Sequence, residues 1–174
     1  MVFLKRCWAP CFTLRDSNQI NLGHGTIIIA LYTSLLHFLG IMYGIYVLDG
    51  GRTDTFYSPL FEFGKTGMNW IAGCLIVYSL FFIFFGSFGL IHGVRSETRI
   101  YYWPWLWCTV IEILFMVAWG IFMVYRYWHY AWATFASLIL WAYAAYHAYL
   151  YLAVLSQYYI LKEIQEPTFI IFYP

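Results

Sequence analysis

Three ionisable side chains stand where ionisable groups are costly. Glu112, His37 and His147 each lie deep inside a long apolar run, and residues of this kind in such runs face a bundle interior, pair with one another, or carry protons and ions. Their depths are similar. Counting 1.5 Å per helical residue, Glu112 lies about 10 Å beyond Trp105, His147 about 12 Å before Leu155, and His37 about 16 Å into the first run. Two chemistries suit such a set. The structural one keeps Glu112 neutral and hydrogen-bonded to a Thr, Tyr or His, which locks helix register. The other is a proton or ion relay centred on Glu112. Haem ligation by His37 and His147 has no further haem-site pattern beside it, so no cofactor is expected.

Face matters as much as depth, because helical neighbours lie three and four residues apart. His37 shares its stripe with Thr33, Ser34, Gly40 and Gly44. Gly40 and Gly44 form a GxxxG pair that lets a second helix come close, so His37 is expected to point into a bundle. Glu112 shares a face with Cys108 and Thr109, while His147 lies near Tyr143, Tyr146 and Tyr151 with Ala144 and Ala148 alongside. The expectation is a hydrogen-bonded cluster of Glu112 with His37, His147 or a tyrosine. Gly86, Gly89 and Gly93 recur on one face with Ser79; close helix packing is the expected use, and a contact between copies the sharper alternative.

The elements that must position these groups follow from composition. Of 174 residues, 63% are hydrophobic, 24% aromatic and 10% charged, with mean hydropathy +0.69. An ordinary soluble domain has about 25% charged residues. Nine Lys and Arg nearly cancel eight Asp and Glu, which leaves no basic field for a nucleic acid. The partner is instead a lipid bilayer, together with other multi-pass membrane proteins or a second copy. Four runs reach the roughly 20 residues that a hydrocarbon core of about 30 Å requires: 26–48, 68–91, 103–125 and 131–155. The spacing predicts an all-α membrane protein, a single domain over 1–174 made of four transmembrane helices in an antiparallel bundle, the last two as a tight hairpin. Lys5, Arg6, Arg15, Arg95, Arg99 and Lys162 fall on one side, and Arg52, Lys65 and Arg126 on the other. Six against three predicts both termini in the cytoplasm. Trp103, Trp105 and Trp107 are expected at the inner interface, Trp128 and Trp132 at the outer one.

The remaining motifs are few. Cys7 and Cys11 lie in the basic N-terminal segment and are palmitoylation candidates, and they lack the four ligands of a structural zinc site. Tyr158 and Leu161 fit the tyrosine-x-x-apolar form that sorting adaptors take as an extended peptide. Phosphate loops, nucleophile elbows and paired carboxylates on a cleft do not occur in the sequence, so no enzyme is expected.

Cys11-Phe12-Thr13-Leu14-Arg15, then Gly25-Thr26-Ile27-Ile28-Ile29 entering the first span, Pro104-Trp105-Leu106 with Glu112 opening the third, and Ser156-Gln157-Tyr158-Tyr159-Ile160-Leu161-Lys162-Glu163 carry a resemblance. Over most of its length the chain resembles the lysosome-associated four-span membrane proteins and, more closely, their insect, Pasiflora-like relatives. The resemblance implies a non-catalytic multi-pass protein that organises or traffics a complex in a membrane, at a septate-type cell junction of the plasma membrane or in an endosome or lysosome. The alternative is a small proton-linked transporter or channel subunit using Glu112.

Overall fold

The computed structural model describes residues 18–51 and 65–165. Cys7, Cys11, the basic residues Lys5, Arg6, Arg15 and Arg52, and the chain beyond Gln165 lie outside the described residues. The architecture is all-helical, with no strand among the described residues. Helix α1 spans Asn18–Leu48 and α2 spans Lys65–Phe81. A π-helical segment, Phe82–Ser87, continues α2 into α3, Phe88–Arg95. A 3-10 turn, Arg99–Tyr102, leads into α4, Trp103–Tyr127, and α5 spans Ala131–Gln165.

Four of the resulting helical runs are long and apolar enough to cross a membrane: Leu22–Leu48, Thr66–Arg95, Arg99–Tyr127 and Ala131–Gln165. Even the shortest has 27 residues, about 40 Å of helix against a hydrocarbon core of about 30 Å. Between 22% and 28% of the most apolar stretch of each is buried. Most of each helix therefore faces outward, and those outward residues are Phe84, Phe85, Ile111, Leu114, Phe115, Leu138 and others like them. A helix that closes its own backbone hydrogen bonds and shows such a surface suits lipid.

The most extensive helix contact joins α4 to α5, with Trp128–Tyr130 between them. Trp141 of α5 lies over Gly120 of α4 and donates Nε1–H to the Val117 carbonyl at 3.4 Å. Helix α1 packs mainly on α2, and the π-helical segment bridges α1 to α4. The main core gathers Ile29, Ala30, Phe82, Leu90, Tyr102, Trp105, Leu150 and Val154 from all four spans.

The structure corrects the sequence expectations in four places. The second span is not an unbroken α-helix from 68 to 91, because a wide π turn interrupts it. Ser79 and Ser87 are both fully buried, although eight residues of ideal α-helix would leave them about 80° apart; one residue taken up by the wide turn brings both to the same interior face. Trp105 is not an interface anchor. It is fully buried, its indole N–H donating to Thr33 Oγ1 at 3.3 Å, while Trp103 and Trp107 remain exposed. The second span does not end at 91, since α3 continues to Arg95, and the 3-10 turn that follows buries Tyr102 completely. Finally, the fourth helix does not end near Leu155 but continues to Gln165.

That last correction removes the sorting-peptide reading of Tyr158 and Leu161. Both residues are helical, Leu161 is 5% exposed, and the Tyr158 ring packs against those of Tyr102 and Trp103. An adaptor needs an extended backbone, which this helix does not offer.

Candidate functional site: a polar junction inside the bundle

Helices α1, α2 and α4 bring together the polar groups that sit among their apolar residues. His37 and Glu112 are in direct contact, Nε2 to Oε1 at 2.9 Å, with side chains 13% and 14% exposed. The other imidazole nitrogen, Nδ1, lies 3.3 Å from Ser79 Oγ. Aromatic rings enclose the imidazole. Phe82, the first residue of the π-helical segment, stacks on it at 4.0 Å, and Tyr78 stands edge-on at 5.8 Å. Tyr78 also donates its hydroxyl to the Cys108 carbonyl at 3.2 Å, one turn before Glu112. One row of contacts thus runs from α2 through His37 to α4.

A second row lies deeper in the core. Thr33 Oγ1 accepts from Trp105, lies 3.3 Å from Ser87 Oγ, and is within reach of the carbonyls of Ile29 and Ala30. All three side chains are buried, and the three come from α1, the π-helical segment and α4. The wide turn is what delivers Ser87 here, so the local break in the helix and the polar junction have one cause. Interhelical hydrogen bonds of this kind contribute about 0.6 kcal/mol each on average in a membrane.

The other predicted residues are placed as follows. His147 is 2% exposed but does not join the pair directly: Nδ1 lies 3.1 Å from the Tyr143 carbonyl on its own helix, and its ring neighbours are Tyr143, Tyr146 and Tyr32. Gly40 and Gly44 face α2. A Cβ on Gly44 would meet Ile76 Cγ1 at 2.7 Å and the Ala72 carbonyl oxygen at 3.2 Å, whereas one on Gly40 would meet Ser79 Oγ at 3.4 Å. The remaining glycines serve a different contact from the one expected. Gly86 faces the Phe82 ring of its own helix, and Gly89 and Gly93 receive the link at Tyr101 and Thr98. Gly86 and Gly93 are buried within the chain and Gly89 is half-buried. On Gly93 a Cβ would lie 2.9 Å from Tyr101 Cβ and 3.1 Å from the Thr98 carbonyl oxygen. The link can turn there because Glu97 adopts φ 53°.

Three features had no counterpart in the sequence reading: the role of Ser79 beside His37, the Thr33–Ser87–Trp105 junction, and the open face of α2. That face is a shallow groove of about 780 Å³ along Thr66, Asn69, Trp70, Gly73, Cys74, Val77, Tyr78 and Phe81. A three-and-four spacing marks one side of a helix, and the signal was available in the sequence, although Gly73 alone did not single it out. Among the described residues no group of three or more His, Cys, Asp and Glu is placed to hold a metal ion. No family model, curated protein or solved structure matches the chain.

Proposed function

We propose that the chain is an integral four-span membrane protein, with an antiparallel bundle and both termini cytoplasmic, that organises or traffics a membrane complex through intramembrane helix contacts. The observation that carries this reading is where the polar groups go. His37 with Glu112, and Thr33 with Ser87 and Trp105, tie the first three spans to one another, as a register lock would. The described connections at 96–98 and 128–130 are short, and in this reading the helix surfaces carry recognition. Its resemblance to the insect relatives of the lysosome-associated four-span proteins favours a septate-type junction of the plasma membrane or an endosomal membrane, and a non-catalytic role.

The surface suited to a partner helix is the open side of α2. Gly40, Gly44, Gly89 and Gly93 are occupied within the chain, whereas a Cβ on Gly73 would meet nothing within 4 Å. Small residues on an uncovered helix face allow close approach. Purification of the tagged protein in mild detergent should recover other multi-pass membrane proteins, and Gly73→Leu should lower that recovery while leaving the bundle folded. Recovery of the protein only as a monomer, or recovery indifferent to Gly73→Leu, counts against the proposal. Orientation has its own test. A Ser58→Cys variant should react with an impermeant thiol reagent in intact cells, and reaction only after permeabilisation reverses the topology.

A further inference from the structure

Eight buried or half-buried hydroxyls of Ser and Thr lie within the spans, and six of them donate to a carbonyl of their own helix: Thr26 to Leu22, Thr33 to Ile29, Ser34 to Ala30, Thr109 to Trp105, Ser137 to Ala133 and Ser156 to Leu152. The other two are fully buried and have no such bond: Ser87 meets the Thr33 hydroxyl, and Ser79 meets His37 Nδ1. A buried hydroxyl proton goes to an acceptor, and the acceptor at hand is the Nδ1 lone pair. Nδ1 is then not protonated, and Nε2 carries the ring's hydrogen toward Glu112 Oε1. An imidazole in this tautomer is neutral, so it brings no countercharge to Glu112. A carboxylate at this depth is costly without a countercharge, even beside the His37 and Tyr78 groups that reach it, and one further proton removes that cost.

We propose that Ser79, His37 and Glu112 form a binding site for one proton, and that Ser79, by occupying Nδ1, seats this proton on the Glu112 carboxyl group and not on the imidazole. His37 Nε2–H then donates to the carboxyl oxygen. Ser79 is a positioning residue. The titratable groups around the pair are Tyr78 of α2, edge-on to the imidazole and beside Glu112; Cys108 of α4, one turn away; and Tyr143 and His147 of α5. All are neutral in their hydrogen-bonding forms and leave the proton as the neutralising charge. The site adds proton binding to the structural joint described above and does not depend on which complex the protein serves.

The test uses full-length protein in lipid bilayers at neutral pH, with two readouts. Infrared spectroscopy reads the protonated-carboxyl stretch, assigned by its loss in Glu112→Gln. Ring ¹⁵N chemical shifts read the tautomer of His37, assigned by His37→Gln. In the wild type the carboxyl band should be present, with Nδ1 bare and Nε2 protonated. Ser79→Ala opens Nδ1, so the band should fall and the ring should become doubly protonated, while circular dichroism stays unchanged. A doubly protonated His37 in the wild type overturns the proposal, as does a carboxyl band that Ser79→Ala leaves intact. If Ser79→Ala fails to fold, the wild-type pair of readouts still decides, because they assign the proton to one residue or the other.

Discussion

Separating His37 from Glu112 should weaken the bundle measurably but modestly. Their contact is a single short hydrogen bond, 2.9 Å, at the joint of α1 with α4. Within membranes such bonds measured by double-mutant cycles average about 0.6 kcal/mol and reach about 1.7 kcal/mol. The low exposure of both side chains, 13% and 14%, places this one toward the upper half, about 1 kcal/mol, because water has little access to the two groups. Glu112→Gln keeps an oxygen that accepts from Nε2–H and should lose less than half of that. Glu112→Leu removes the acceptor and strands the imidazole, so its full cost of about 1 kcal/mol, or somewhat more, should appear. The assay is a cycle of Glu112→Leu, His37→Leu and the double variant, with unfolding followed by denaturant titration in lipid–detergent bicelles. Coupling near zero, with both single variants as stable as wild type, would refute the argument and leave the pair as a bystander to the packing of Phe82 and Tyr78.

Other expectations test the remaining joints. Gly44→Ala forces a Cβ against Ile76 and the Ala72 carbonyl and should cost about 1–3 kcal/mol, the usual range for overpacking; Gly73→Ala, with open space around it, should change the same thermal-unfolding midpoint little. Gly93→Ala meets the Thr98 carbonyl and Tyr101, so it should expose the link between the second and third spans to proteolysis in purified protein. Trp105→Phe keeps the packing but leaves Thr33 without its indole donor, and should lower stability by about 1 kcal/mol in the bicelle assay. Deleting Phe84 from the wide turn should be better tolerated than deleting Leu75 from α2, as read by monodisperse yield, because only the first deletion can be absorbed by returning the π-helical segment to α geometry.

Four spans were legible in the sequence because the bilayer imposes a length and a polarity that composition records directly. Depth and face also brought His37 and Glu112 together, since a GxxxG stripe and a polar flank leave few ways to orient the two helices. Other features depend on partners far along the chain. Trp105 has the same amphipathic chemistry at an interface as in a core, and what decides is Thr33, 72 positions away. The wide turn at Phe82–Ser87 carries no proline, and it sets Ser87 3.3 Å from the hydroxyl of Thr33, 54 positions away. Likewise α5 continues past its apolar run because Tyr158 and Leu161 find cover on the turn at Tyr102 and on the core, which local periodicity did not reveal.

Helix α5 is 35 residues long, about 52 Å of rigid rod, and a bilayer core takes up about 30 Å of it. The remainder is a rod continuous with the span, packed along the 3-10 turn at Tyr102. Its far end is braced: Gln165 donates to the Glu97 carbonyl, and Tyr158 leans on Trp103. A rod held at two points along its length transmits torque as well as position. A twist or tilt of the fourth span would therefore be passed, in fixed phase, to the connection at Glu97 and Trp103, so that the posture of the last span and that of the link between the second and third spans are set together.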